Sequence, residues 1–76
     1  MKQFVIFLNI EKPSEQTEKA IKLFGAWMPK SQVQFTDKYI ILPLWLFVQK
    51  SLSYWNDRGD RIAQKVSEND LQKWMA

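Results

Sequence analysis

The chain has no cysteine and no histidine. The first absence removes disulfide staples, thiolate nucleophiles and zinc sites built on cysteine. The second removes the commonest general base and the commonest metal ligand. A nucleophile would have to be serine, threonine or lysine, and none stands in a nucleophile-elbow, Ser-x-x-Lys or phosphate-loop context. The two glycines, Gly25 and Gly59, lie too far apart to form a phosphate-cradling loop. These absences argue against an enzyme and against a bound cofactor. No apolar run reaches the ~18–20 residues of a membrane-spanning helix. The opening MKQFVIFLNI superficially resembles a secretion signal, but it breaks at Asn9 and meets Glu11 and Lys12 without a small-residue cleavage site. The reading is a cytoplasmic protein with no membrane partner.

What is present is apolar bulk. Four Trp, five Phe and two Tyr stand among 76 residues, enough for a dense core in a single domain over 1–76. Net charge is +3, from 11 basic and 8 acidic residues scattered rather than run together. That balance permits nucleic acid without requiring it.

Phe4–Leu8 is apolar at both parities, the pattern of a strand covered on both faces. Ser14 then offers a helix cap. On a helical wheel Ala20, Ile21, Leu23, Phe24, Trp27 and Met28 share one side while Glu18, Lys19 and Lys22 share the other, which predicts a helix over about 15–28, stopped by Pro29. Residues 31–36 alternate strictly, as an edge strand does, and Asp37-Lys38 makes a turn into a second central strand, Tyr39–Leu42. Pro43 ends that strand and suits the first turn of a helix. The helical arc of Leu44, Trp45, Phe47, Val48, Leu52, Tyr54 and Trp55 predicts a second long helix to about 58, with Gly59 as its cap. Arg61–Val66 reads as the other edge strand, and Ser67–Asp70 opens a short terminal helix carrying Leu71, Trp74 and Met75.

The order β-α-β-β-α-β plus a terminal helix predicts an α+β, ferredoxin-like antiparallel sheet of order 4-1-3-2. The second-ranked alternative pairs Leu52–Trp55 with Arg61–Val66 as a hairpin around DRGD.

Three surfaces are candidates for function. The first is the terminal helix, where Leu71, Trp74 and Met75 either lid the sheet or anchor a protein partner, and aromatics and methionine are what interfaces favour. A homodimer through the same face is a variant of this reading. The second is the open sheet face. Ile6-Phe7-Leu8-Asn9-Ile10 is similar to a contracted first-strand consensus of RNA-recognition motifs, with Phe7 as its stacking ring and Tyr39 as the counterpart. The resemblance spans five residues, and DKYIILPL lacks the glycine-rich third-strand consensus, so the family is not assigned. Lys38, Arg61 and Lys65 would meet phosphates in that reading. The third is an acidic corner of Glu11, Asp37, Asp57 and Asp60, interleaved with bases and read as solvated loops rather than a metal site. Arg58-Gly59-Asp60 is read as turn-forming residues.

The reading favoured is a non-catalytic protein-interaction module, an inhibitor or regulator docking on a larger protein or complex, of the size and style of those encoded by phages and other mobile elements. The alternative is a small protein binding RNA or single-stranded nucleic acid.

Overall fold

The computed structural model describes residues 2–8 and 12–75. The chain is α+β, with seven strands in two antiparallel sheets and two α-helices among these residues. The strands are β1 (Gln3–Phe7), β2 (Glu15–Gln16), β3 (Ala20–Leu23), β4 (Ala26–Pro29), β5 (Gln34–Phe35), β6 (Ile40–Pro43) and β7 (Ala63–Ser67). The helices are α1 (Leu44–Gln49) and α2 (Glu68–Met75). The larger sheet runs β5-β6-β1-β7 and the smaller β2-β3-β4.

Central placement of β1 follows from its composition, since Val5 and Phe7 face one way, Phe4 and Ile6 the other, and both sides are covered. On one face Val5, Phe7, Ile40 and Leu42 meet Ile21, Leu23 and Met28 of the small sheet and Leu46 and Phe47 of α1. On the other face Ile6, Ile41 and Val66 meet Leu71 of α2. Three layers result, with the large sheet in the middle.

The expected helix at 15–28 is not formed, and with it goes the ferredoxin-like arrangement. The segment is the three-stranded meander β2-β3-β4. Its apolar spacing satisfies a period of two as well as one of 3.6. Ile21 stands opposite Met28 and Leu23 opposite Ala26, the inward pairs, while Lys22 stands opposite Trp27 on the outer face. The turns decide between the two periods. Phe24 and Gly25 both have positive φ, 52° and 76°, which is the backbone of a two-residue type I′ hairpin. A bulky residue in that conformation is strained by roughly 1–2 kcal/mol. The Phe24 ring offsets this by stacking on Phe7, with centroids 4.1 Å apart and planes 19° from parallel. At the other end Thr17 closes a tight turn, donating its N–H to the Ala20 carbonyl and accepting the Ala20 N–H on Oγ1.

The second long helix is also overturned. Pro43, at φ −63° and ψ 146°, ends β6 and stands at the cap position of α1, as its chemistry dictates. However, α1 closes after six residues. Ser51 takes the left-handed conformation, φ 54°, and donates its N–H to the Val48 carbonyl while Leu52 donates to Phe47. This is a Schellman cap, in which glycine is the usual residue at the position of Ser51. Ser51→Gly is therefore expected to raise stability by about 0.5–1 kcal/mol, the left-handed strain relieved less the added unfolded-state freedom of glycine. A thermal melt checks this, and a lower Tm would mean that the hydroxyl contributes more than the strain.

Beyond the cap the chain turns back along β7. Ile62 donates its N–H to the Tyr54 carbonyl at 2.7 Å, and Trp55 faces Arg61 in a lone antiparallel bridge. The second-ranked hairpin is thus closer to the structure than the helix. Gly59, φ 84°, serves its turn rather than a helix end. Asn56 Oδ1 accepts the N–H groups of Arg58 and Asp60 and so fixes the Arg58-Gly59-Asp60 loop. At the terminus Ser67 Oγ accepts the Asp70 N–H, capping α2.

Candidate interaction surface

The sheet face imagined as a base-stacking platform does not exist. Phe7 is 1% exposed, enclosed by Phe24 and Phe47. A ring so placed offers no face to a base, and this part of the nucleic-acid reading is corrected. Tyr39 is half-buried under Trp74, edge to face at 5.2 Å. Lys38, Arg61 and Lys65 are exposed. Arg61 is partly engaged, for its guanidinium carbon lies 5.0 Å from the Trp55 ring and 5.4 Å from that of Tyr54, and its Nε donates to the Ala63 carbonyl.

The terminal helix is a lid. Leu71 is 8% exposed and packs on Ile6, Ile41 and Val66, with Trp74 against the same cluster. These two side chains cannot be presented whole to a partner without uncovering the sheet. The Met75 side chain lies outside the described residues, as does Glu11 of the acidic corner. Among the described residues no three carboxylates gather closely enough to hold a metal ion. No polar or charged side chain is buried among them either.

Which residues, then, did pattern reading miss? Among the described residues, Trp27, Phe35, Trp45, Val48 and Trp55 are the large apolar side chains left exposed. Both long-helix assignments buried Trp27, Trp45 and Trp55. A strand parity for 26–29 sends Trp27 outward instead. In α1 the buried residues Leu46 and Phe47 occupy one side, which turns Trp45 and Val48, three residues apart, to the other. Trp45 is 54% exposed and Val48 66%.

Trp45 also walls a recess of about 390 Å³ with Lys2, Gln3, Phe4, Gln32, Pro43 and Leu44. A second recess of about 310 Å³ shares Phe4, Gln32 and Pro43 with it and continues along Ser31, Val33, Gln34 and Ile41. The two recesses adjoin at these shared residues, between α1, the start of β1 and the start of β5, and are together called the groove. It exists because β5 pairs with β6 only at Gln34 and Phe35, so the chain at 30–33 splays off as a 3-10 turn, Lys30–Gln32. Lys2 is the one ionisable side chain in its lining.

A separate recess of about 370 Å³ lies beside the two left-handed residues, Phe24 and Ser51, with Trp55 and Asp57 at its wall. At the sheet edge Lys65 is the middle residue of β7. Antiparallel pairing of two copies centred there would set lysine against lysine, an arrangement that disfavours edge-to-edge association. No helix among the described residues is long and apolar enough to cross a membrane. The chain matches no protein-family model, no curated protein and no solved structure closely enough to indicate kinship.

Proposed function

We propose that this chain is a non-catalytic protein-interaction module, a small inhibitor or regulator that docks on a larger protein or complex. One observation carries the reading: Trp45 and Val48 stand exposed on one stripe of α1, beside a groove with a single charged residue in its lining. Tryptophan dominates the energetics of protein interfaces, and an apolar anchor flanked by a groove is how such residues are arranged. The cysteine-free composition suits a reducing compartment, the cytoplasm. The docking site moves from Leu71 and Trp74 to α1, because those two side chains are occupied in covering the sheet.

The test separates docking from folding. Trp45→Ser is expected to leave the Tm within a few degrees of wild type, since surface substitutions usually fall within about 0.5 kcal/mol. Capture from a native lysate is expected to lose, in Trp45→Ser but not in Trp27→Ser, a protein that wild type retains after nuclease treatment. An identical catch from all three would remove α1 from the reading.

Arg61 against Trp55, with Lys65 exposed on β7, is the feature that supports the second reading, binding of RNA or single-stranded DNA. In that case affinity is expected to fall steeply with salt and on Lys65→Ala.

A further inference from the structure

The recess beside Trp55 shares no lining residue with the groove at α1. Phe24, Leu52 and Ile62 give it an apolar floor, and its rim is polar. At about 370 Å³ it lies at the small end of ligand pockets. Among the described residues Phe24 and Ser51 are the non-glycine positions with positive φ, and both stand in its wall. Strained backbone of that kind gathers at ligand sites.

The rim divides into groups already bonded and groups left open. Ser53 Oγ accepts the Trp55 N–H, and Asn56 Oδ1 accepts those of Arg58 and Asp60. The Ser51 hydroxyl and the Asp57 carboxylate have no partner among the described residues. Asp57 is the one ionisable side chain in the lining, and a carboxylate only accepts. Trp55 is 51% exposed. Arg61 lies over its ring at 5.0 Å but is absent from the lining, so the recess meets the indole away from the guanidinium. Of that guanidinium only Nε is bonded among the described residues, to the Ala63 carbonyl.

The arrangement is thus a hydrogen-bond acceptor at an aromatic-walled recess, with cations just outside it. An organic cation would satisfy Asp57 but meet Arg58 and Arg61, both exposed and without an ion pair among the described residues. A ligand with a donor edge at one end and an anion at the other satisfies both. Among the nucleobases guanine alone carries two adjacent donors on its Watson–Crick edge, N1–H and the 2-amino group, which one carboxylate accepts together. Adenine and cytosine set one donor beside an acceptor, and uracil sets one between two acceptors.

We infer that this recess binds a guanine nucleotide. The base stacks on the Trp55 indole and donates N1–H and its amino group to Asp57, while the phosphate lies toward Arg61. The inference goes beyond the docking reading and does not depend on it, since the two surfaces have no residue in common. The same chemistry has two sources, a free nucleotide and a guanosine within a single strand.

The experiment is calorimetric titration of the full chain, as wild type, Trp55→Ala and Asp57→Asn, with the 5′-monophosphates of guanosine, adenosine and xanthosine. Wild type is expected to prefer the guanosine nucleotide over the adenosine one about tenfold or more, a difference of about 1.4 kcal/mol. Trp55→Ala is expected to lose that binding. In Asp57→Asn the preference should invert toward xanthosine, whose edge sets an acceptor beside N1–H and so matches a carboxamide. Such a gain cannot come from unfolding, and the exposed position predicts a Tm within a few degrees of wild type. Two single-stranded RNAs, AAGAA and AAAAA, separate the sources. Tighter binding of the first places the guanosine in a strand, and equal binding beside a positive mononucleotide titration makes the free nucleotide the ligand. Guanosine and adenosine nucleotides bound alike, or a ranking unchanged in Asp57→Asn, would overturn the inference. So would guanosine binding undiminished in Trp55→Ala.

Discussion

Replacing Phe7 with alanine is expected to cost about 3–5 kcal/mol, the range for removing a buried aromatic ring. A chain of this size has roughly 4–11 kcal/mol in total, so the substitution removes at least about a quarter of it and, at the lower end of that range, unfolds the variant. The reason is positional. Phe7 lies in β1, which is paired on both sides, and its ring is stacked on Phe24 and in contact with Phe47. One side chain therefore joins the large sheet to two elements that cover this face of it, the β3–β4 turn and α1. Removing it opens a cavity and also takes away the contact that offsets the strain at Phe24. Urea denaturation followed by circular dichroism reads the effect directly. A loss under about 1 kcal/mol would mean that the ring is not in the core as described. The consequence for function is practical. A nucleic-acid binding defect in Phe7→Ala reports unfolding, not a lost stacking contact. Phe7→Leu retains most of the apolar volume and gives up the aromatic pairing, worth about 0.5–1.5 kcal/mol, so it leaves a folded chain in which the binding question can be asked.

The parts of the fold legible in the sequence are those in which only one physical requirement acts. Phe4–Leu8 and Tyr39–Leu42 are apolar at both parities and short, and the second is closed by Pro43, a combination that favours a strand covered on both faces. Pro43 lacks an amide hydrogen and fixes its own φ, so its place between strand and helix could be read from chemistry alone. Ser67 caps α2 by the same local logic. The failures occur where two periods coincide. Residues 20–28 have apolar side chains at spacings that suit a helix face and a pair of strands equally, and the decision rests on Gly25 and on Phe24 accepting a left-handed backbone. Phe24 does so only because Phe7 is there to receive its ring, a tertiary contact that no local pattern announces. Similarly, the clean wheel over 44–58 is broken at Ser51, a residue with no strong preference for the conformation it takes. The candidate site was lost with those two helices. The helical wheel places Trp45 on a buried arc, and the groove beside it depends on the splaying of 30–33 from β6, which is a property of the assembled sheet.

The terminal helix divides the two roles first imagined for it, and its removal is the second large effect. Leu71→Ala is expected to cost about 2–4 kcal/mol, the range for a large aliphatic side chain removed from a core. Leu71 sits on Ile6, Ile41 and Val66, and apart from Trp74 little else among the described residues covers that face of the sheet. Trp74→Ala is expected to cost less, about 1–2 kcal/mol, because the indole is only half-buried and its contact with Tyr39 is edge to face. Truncation after Lys73 should resemble Trp74→Ala. If these residues anchored a partner instead, Trp74→Ala would leave the melting curve unchanged and abolish binding. A lid predicts the reverse, a lower Tm with docking retained below it. The Trp45→Ser variant completes the comparison, since its Tm should stay within a few degrees of wild type and its docking be lost. Two tryptophans on two short helices thus separate the surface that holds the chain together from the surface proposed to engage another molecule. An uncovered sheet face has one further consequence: Ile6 and Ile41 become a contiguous apolar patch in the Leu71→Ala chain. Increased binding of a hydrophobic dye, together with concentration-dependent self-association on size exclusion, is the expected signature. A Leu71→Ala chain that stays monomeric, dye-silent and as stable as wild type would show that α2 is dispensable to the sheet and would return Trp74 to the list of docking residues.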